Sequence, residues 1–90
     1  MLYIGEEFTE TLMSISDELY PEDLENMKFI MGEHLPNREL QNVEMPIDLF
    51  RLMMRLEIFS ESKLDPLVQL LIDVKRYDLS SKLPQIKGKQ

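Results

Sequence analysis

Apolar residues recur along this chain at helical spacing. Phe8, Leu12, Ile15 and Leu19 fall four, three and four positions apart, which predicts a first helix over about Glu6 to Leu19 with one buried face. Tyr20-Pro21 breaks the period, and Pro21 suits the first turn of a second helix, where Glu22, Asp23 and Glu25 face its positive end. Leu24, Met27, Met31 and Leu35 form the second stripe; the helix is expected to reach His34, with Gly32 weakening its last turn before Pro36.

From Pro36 to Val43 only Leu40 and Val43 are aliphatic, so a brief third helix or an irregular loop is expected. Met45-Pro46 marks the next start. Ile47, Leu49, Phe50, Leu52, Met53, Met54 and Leu56 make the fourth helix apolar around much of its circumference, which predicts that some of that surface stays exposed. Ser60 or Ser62 is a candidate cap for a fifth helix carrying Leu64, Leu67, Leu70, Leu71 and Val74, with Pro66 in its first turn. A short sixth helix is expected from Arg76 to Leu83, stopped by Pro84. Six short amphipathic helices with brief connections imply an all-α antiparallel bundle.

Ninety residues suffice for a single core, so one domain is expected over residues 1–84, with a flexible tail over 85–90. A composition 43% hydrophobic and 30% charged supports a folded chain rather than a disordered one. The formal charge of −7 disfavours binding to a nucleic-acid backbone, which needs clustered cations. Charge is also segregated: Met1 to Met27 holds eight acidic residues and no Lys or Arg, whereas Lys75, Arg76, Lys82, Lys87 and Lys89 crowd the far end. The two segments can attract each other within one fold or between copies, or remain solvated surface. No basic flank precedes a sustained apolar run, and no eighteen consecutive residues are apolar, so neither a secretory signal nor a membrane contact is expected.

The absence of cysteine excludes thiol catalysis, disulfides and thiolate zinc sites, and permits a reducing, cytoplasmic setting. The single histidine, His34, falls near a helix end and reads as a surface residue. Metal-binding helical motifs, phosphate loops and calcium loops are missing, so no catalytic residue, metal or cofactor is expected. Seven methionines fit either core filling or an adaptable binding surface. Met27 and Met31 belong to the core stripe, while Met13 and Met54 fall off the stripes and are the surface candidates.

Phe29 stands apart. At about 100° per residue it lies roughly 150° from the centre of its helix's apolar stripe, so it points outward. Two readings follow: an aromatic hot spot for a partner's pocket, or a ring packed beneath a neighbouring helix.

PEDLENMKFI in the second helix, EHLPNREL after it, IDLFRLM in the fourth helix and Arg76-Tyr77-Asp78-Leu79 near the end together cover nearly the whole chain. In this combination the sequence resembles the death effector domain family. The resemblance implies a six-helix death-fold bundle without catalysis, an adaptor module of apoptotic or inflammatory signalling. Its partners would be other death effector domain proteins: adaptors, initiator caspases or caspase-like inhibitors, with self-association into oligomers or filaments. It further implies a surface charge triad of Asp23, Arg76 and Asp78, either orienting helices or touching a partner, and a plug at Phe29 with Ile30. The matching acceptor is a groove between the first and fourth helices, sought among Phe8, Leu12, Met13, Leu49, Met53 and Met54. Glu39 departs from the family pattern, in which consecutive basic residues are common beside Arg38. A monomeric decoy that caps a growing chain, and an N-terminal prodomain fragment of an initiator caspase, are the alternatives.

Overall fold

The computed structural model describes residues 6–83 and holds six helices: α1 Glu6–Glu18, α2 Pro21–Met31, α3 Asn37–Gln41, α4 Pro46–Arg55, α5 Asp65–Asp73 and α6 Tyr77–Ser80. The expected stop at Pro84 and the tail over 85–90 lie outside the described residues. Among the described residues no strand forms; Ser60 and Lys63 exchange backbone hydrogen bonds in a single isolated bridge.

One core gathers the buried face of each helix. Phe8, Leu12, Ile15 and Leu19 of the first stripe are buried, as are Leu24, Met27, Met31 and Leu35 of the second. Leu40 and Val43 anchor α3, Leu79 anchors α6, and Leu83 follows it inward. Phe59, which belongs to no helical stripe, is fully buried and stacks edge-on against both Phe8 and Phe50 at centroid distances of 6.5 Å. Such edge-to-face pairs add about 0.5 to 1.5 kcal/mol beyond the area they bury.

Several boundaries move for local reasons. α2 ends at Met31 rather than near His34: the Gly32 amide bonds only to the Phe29 carbonyl, and both His34 and Leu35 donate to Met31. Glycine gains no side-chain contact to offset its backbone entropy, so the last turn tightens there. The fifth helix starts at Asp65, later than a cap at Ser60 or Ser62 would place it, because those serines are engaged in the turn around the Ser60–Lys63 bridge. α6 is only four residues long, and its continuation to Leu83 is a chain of turns in which Ser81 donates to Tyr77, Lys82 to Leu79 and Leu83 to Ser80.

α4 and α5 end alike. Ile58 donates to Met53 and Glu57 to Met54; Arg76 donates to Leu71 and Lys75 to Ile72. Each is a Schellman motif, whose turning residue must be left-handed, and Glu57 and Lys75 have φ of 63° and 67°. The turn at Lys75 ends α5 and makes Arg76 the first residue of the reversed chain.

Candidate protein-interaction surface

Arg76 is the junction of three helices. Its Nη1 donates to Asp23 Oδ2 at 2.6 Å and to the Glu18 carbonyl at 3.1 Å, while Nε and Nη2 donate to the two carboxylate oxygens of Asp78 at 3.2 and 3.0 Å. The guanidinium carbon also lies 5.4 Å from the centre of the Tyr20 ring, within cation–π range. Asp23 in turn accepts the Tyr20 amide at 3.0 Å, closing the N-terminus of α2, for which Tyr20 supplies no side-chain cap. One guanidinium therefore ties the end of α1, the start of α2 and the start of α6 together.

The triad is not the exposed ion pair a surface position would imply. Side-chain exposure is 16% for Arg76 and 12% for Asp23, against 59% for Asp78. Its geometry joins helices within one molecule. Hydrogen bonding to Arg76 holds the Asp78 carboxyl below the usual carboxylate range, and the Asp78 bonds, reinforced by those to Asp23, raise Arg76 further against its desolvation. A second pair, Lys82 with Glu18, links the same ends of the chain. The segregated charge seen in the sequence thus meets within the fold at these two places.

Phe29 is 86% exposed, in accord with its helical angle, and is not packed under a neighbouring helix. Ile30 is half-buried and packs on the core. On the other side of α2, Lys28 Nζ donates to the Val43 carbonyl at 3.1 Å, fixing the helix to the segment after α3. Phe29 is thus an outward aromatic on a helix held at both sides.

The expected acceptor groove is different from its sequence reading. Phe8, Leu12, Leu49 and Met53 are all core residues with 3% exposure or less, because α1 and α4 pack directly against each other. They offer no open surface. Of the six groove residues only Met13, at 45% exposure, and the half-buried Met54 reach solvent. The apolar excess of α4 emerges at Ile47 and Met54, both half-buried, and beyond its end at exposed Leu56.

Two further features carry no sequence signal strong enough to locate them. Glu39 accepts from Arg55 at 2.9 Å, so the acidic residue of α3 is matched by α4 across a depression that Arg51 also lines. Between α2 and α5 lies an apolar pocket of about 310 Å³, floored by Met31, Met53 and Leu70 and rimmed by Ile30, His34 and Gln69. His34 is exposed there, as its position near a helix end suggested. Among the described residues no three His, Asp or Glu side chains converge into a metal site, and no helix is long and apolar enough to cross a membrane.

The model of the death effector domain matches residues 8–89. Caspase-8 of the mouse, Mus musculus, is 30% identical over 73 residues, which is 81% of this chain and 15% of that protein. The chain therefore corresponds to a small part of that relative's length.

Proposed function

The chain belongs to the death effector domain family, and we propose that it assembles with other domains of that fold, Phe29 of one copy docking on the α1 and α4 side of the next. Membership establishes an interaction module with an all-helical death fold. The observation that carries the finer reading is the 86% exposure of Phe29 on a helix whose other large apolar side chains turn inward. Burying such a ring in a partner contributes about 1.5 to 3 kcal/mol.

The acceptor consists of the surface around Met13 and Met54, the two methionines of α1 and α4 that reach solvent. Flexible thioethers mould to an incoming ring. Plug and acceptor lie on different helices, so each end copy keeps either an unused plug or an unused acceptor and growth continues head to tail. The process served is apoptotic or inflammatory signalling in the cytoplasm, with adaptors, initiator caspases or their inhibitors as partners. The match to one stretch of a caspase favours a second reading, in which these residues are the prodomain segment of a longer protease.

Light scattering and sedimentation of wild type and Phe29→Asp at matched concentration test the assembly. The expected result is a folded variant that remains small while the wild type grows. A folded Phe29→Asp protein that assembles as well as wild type overturns the plug. Titration into a polymerising relative separates an assembling domain, which accelerates growth, from a capping one, which arrests it.

A further inference from the structure

Methionine carries all the sulfur in this chain: there are seven methionines and no cysteine. Two-electron oxidants, which in other proteins attack exposed thiolates, meet only thioethers here. The fold sorts these sharply. Met27 and Met53 are fully buried and Met31 nearly so, whereas Met13 on α1 is 45% exposed, Met45 before α4 is 52% exposed and Met54 on α4 is half-buried. A peroxide reaches sulfur through solvent, so Met13 and Met45 react first, Met54 more slowly and the core methionines last.

Met13 and Met54 are also the two side chains of the acceptor proposed above for Phe29. We infer, on the basis of that acceptor, that they form a reversible oxidation site, Met13 foremost, at which a peroxide switches head-to-tail assembly off.

The step is an oxygen transfer. A lone pair on the thioether sulfur attacks one peroxide oxygen, the O–O bond breaks and an S–O bond forms. The departing hydroxide takes the proton from the transferred oxygen, so hydrogen peroxide is reduced to water while sulfur is oxidised by two electrons to the sulfoxide. A sulfoxide is polar and accepts hydrogen bonds, and an aromatic ring docked over it removes its water without supplying a donor. The atom that moulds to the ring as a thioether opposes it once oxidised.

The switch leaves the plug intact. No formal charge changes and no core methionine is reached, so an oxidised copy stays folded and keeps its Phe29. Such a copy seats on the open acceptor of a chain and stops that end from growing. Within a formed chain the docked ring covers Met13 and Met54, so oxidation acts on free copies and open ends.

The test treats wild type with limiting hydrogen peroxide, separates assembled from unassembled protein by sedimentation, and reads each methionine in both pools by peptide mass spectrometry, with circular dichroism to verify folding. Sulfoxide at Met13 is expected to be enriched about tenfold in the unassembled pool, the weakening that loss of one hot-spot contact brings. Met45, similarly exposed but no part of the acceptor, is expected at one level in both pools. A methionine sulfoxide reductase is expected to restore assembly, and peroxide added after assembly to oxidise Met45 while Met13 is spared. Even partition of Met13 sulfoxide between the pools, or an enrichment that Met45 shares, overturns the inference. Untreated Met13→Lys separates this failure from that of the acceptor. If Met13→Lys assembles poorly and Met13 sulfoxide still partitions evenly, the acceptor stands and the switch falls. If Met13→Lys assembles like wild type, or wild type does not assemble, the acceptor falls and the switch with it.

Discussion

Arg76 reaches Asp23 across 53 residues of chain, and the 2.6 Å contact makes one carboxylate serve two purposes. Asp23 accepts the amide that would otherwise be left open before α2, and it docks the start of α6 onto the same corner. Because α2 carries Phe29, the position of that ring depends on this junction.

Arg76→Ala is expected to destabilise the fold by about 2 to 4 kcal/mol, since it leaves a mostly buried carboxylate without its cation and removes several charge-assisted hydrogen bonds. Arg76→Lys should recover only part of this loss, because a single ammonium cannot reproduce the planar fork to Asp23, Asp78 and the Glu18 carbonyl. Urea unfolding of the three proteins measures the difference. Lys82→Ala, which breaks an exposed pair with Glu18, should cost about 1 kcal/mol or less.

The junction also predicts a direction with pH. Bonding to Arg76 lowers the folded pKa of Asp78, so in acid the unfolded chain binds its proton first. The stabilisation from Asp78 is therefore fully present above the unfolded carboxylate pKa, roughly 3.9, and is lost as pH falls through the lower folded value. Asp78→Asn should fall furthest below wild type near neutral pH, with the gap narrowing in strong acid. A gap that does not change with pH would mean that Asp78 acts through packing or an uncharged hydrogen bond.

Glu57→Gly should stabilise the protein by about 0.5 kcal/mol. The left-handed backbone at φ 63° costs an ordinary residue about 1 to 2 kcal/mol, and glycine returns part of that gain through its unfolded-state entropy. Glu57→Val, branched at Cβ, should destabilise. Thermal unfolding of the two variants reads the opposite signs directly.

Surface and core substitutions on α1 and α4 should separate cleanly. Leu12→Ala, Leu49→Ala and Met53→Ala are each expected to cost about 2 to 5 kcal/mol, because they open cavities in the core. Met13→Lys should change stability little while weakening assembly about tenfold or more, and Phe29→Ala should do the same. Denaturation midpoints and sedimentation on the same samples decide each case; loss of stability in Met13→Lys would mean that this methionine packs inward in solution.

The sequence by itself determined five of the helices, their order and the side of each that faces the core, and left the segment from Pro36 to Val43 open between a brief helix and a loop. Spacings of three and four suffice for this, because the stripe Phe8, Leu12, Ile15, Leu19 has only one way to be buried. Helical angle alone likewise turned Phe29 outward. Gly32 and the closing turns after α6 shifted the ends, since a helix terminus is decided by a few competing backbone bonds rather than by periodicity.

Tertiary structure decided what contacts what. The packing of α1 on α4 closes over Leu12, Leu49 and Met53, so no open groove remains among them although the family pattern pointed to one there. No local pattern sends Phe59 inward to meet Phe8 and Phe50, or brings Tyr20 beneath Arg76. The α2/α5 pocket is likewise a space between elements distant in sequence. The physical reason is common to all of these: a residue's own helix fixes its direction, but burial depends on whether another element, brought there by the whole fold, occupies that direction.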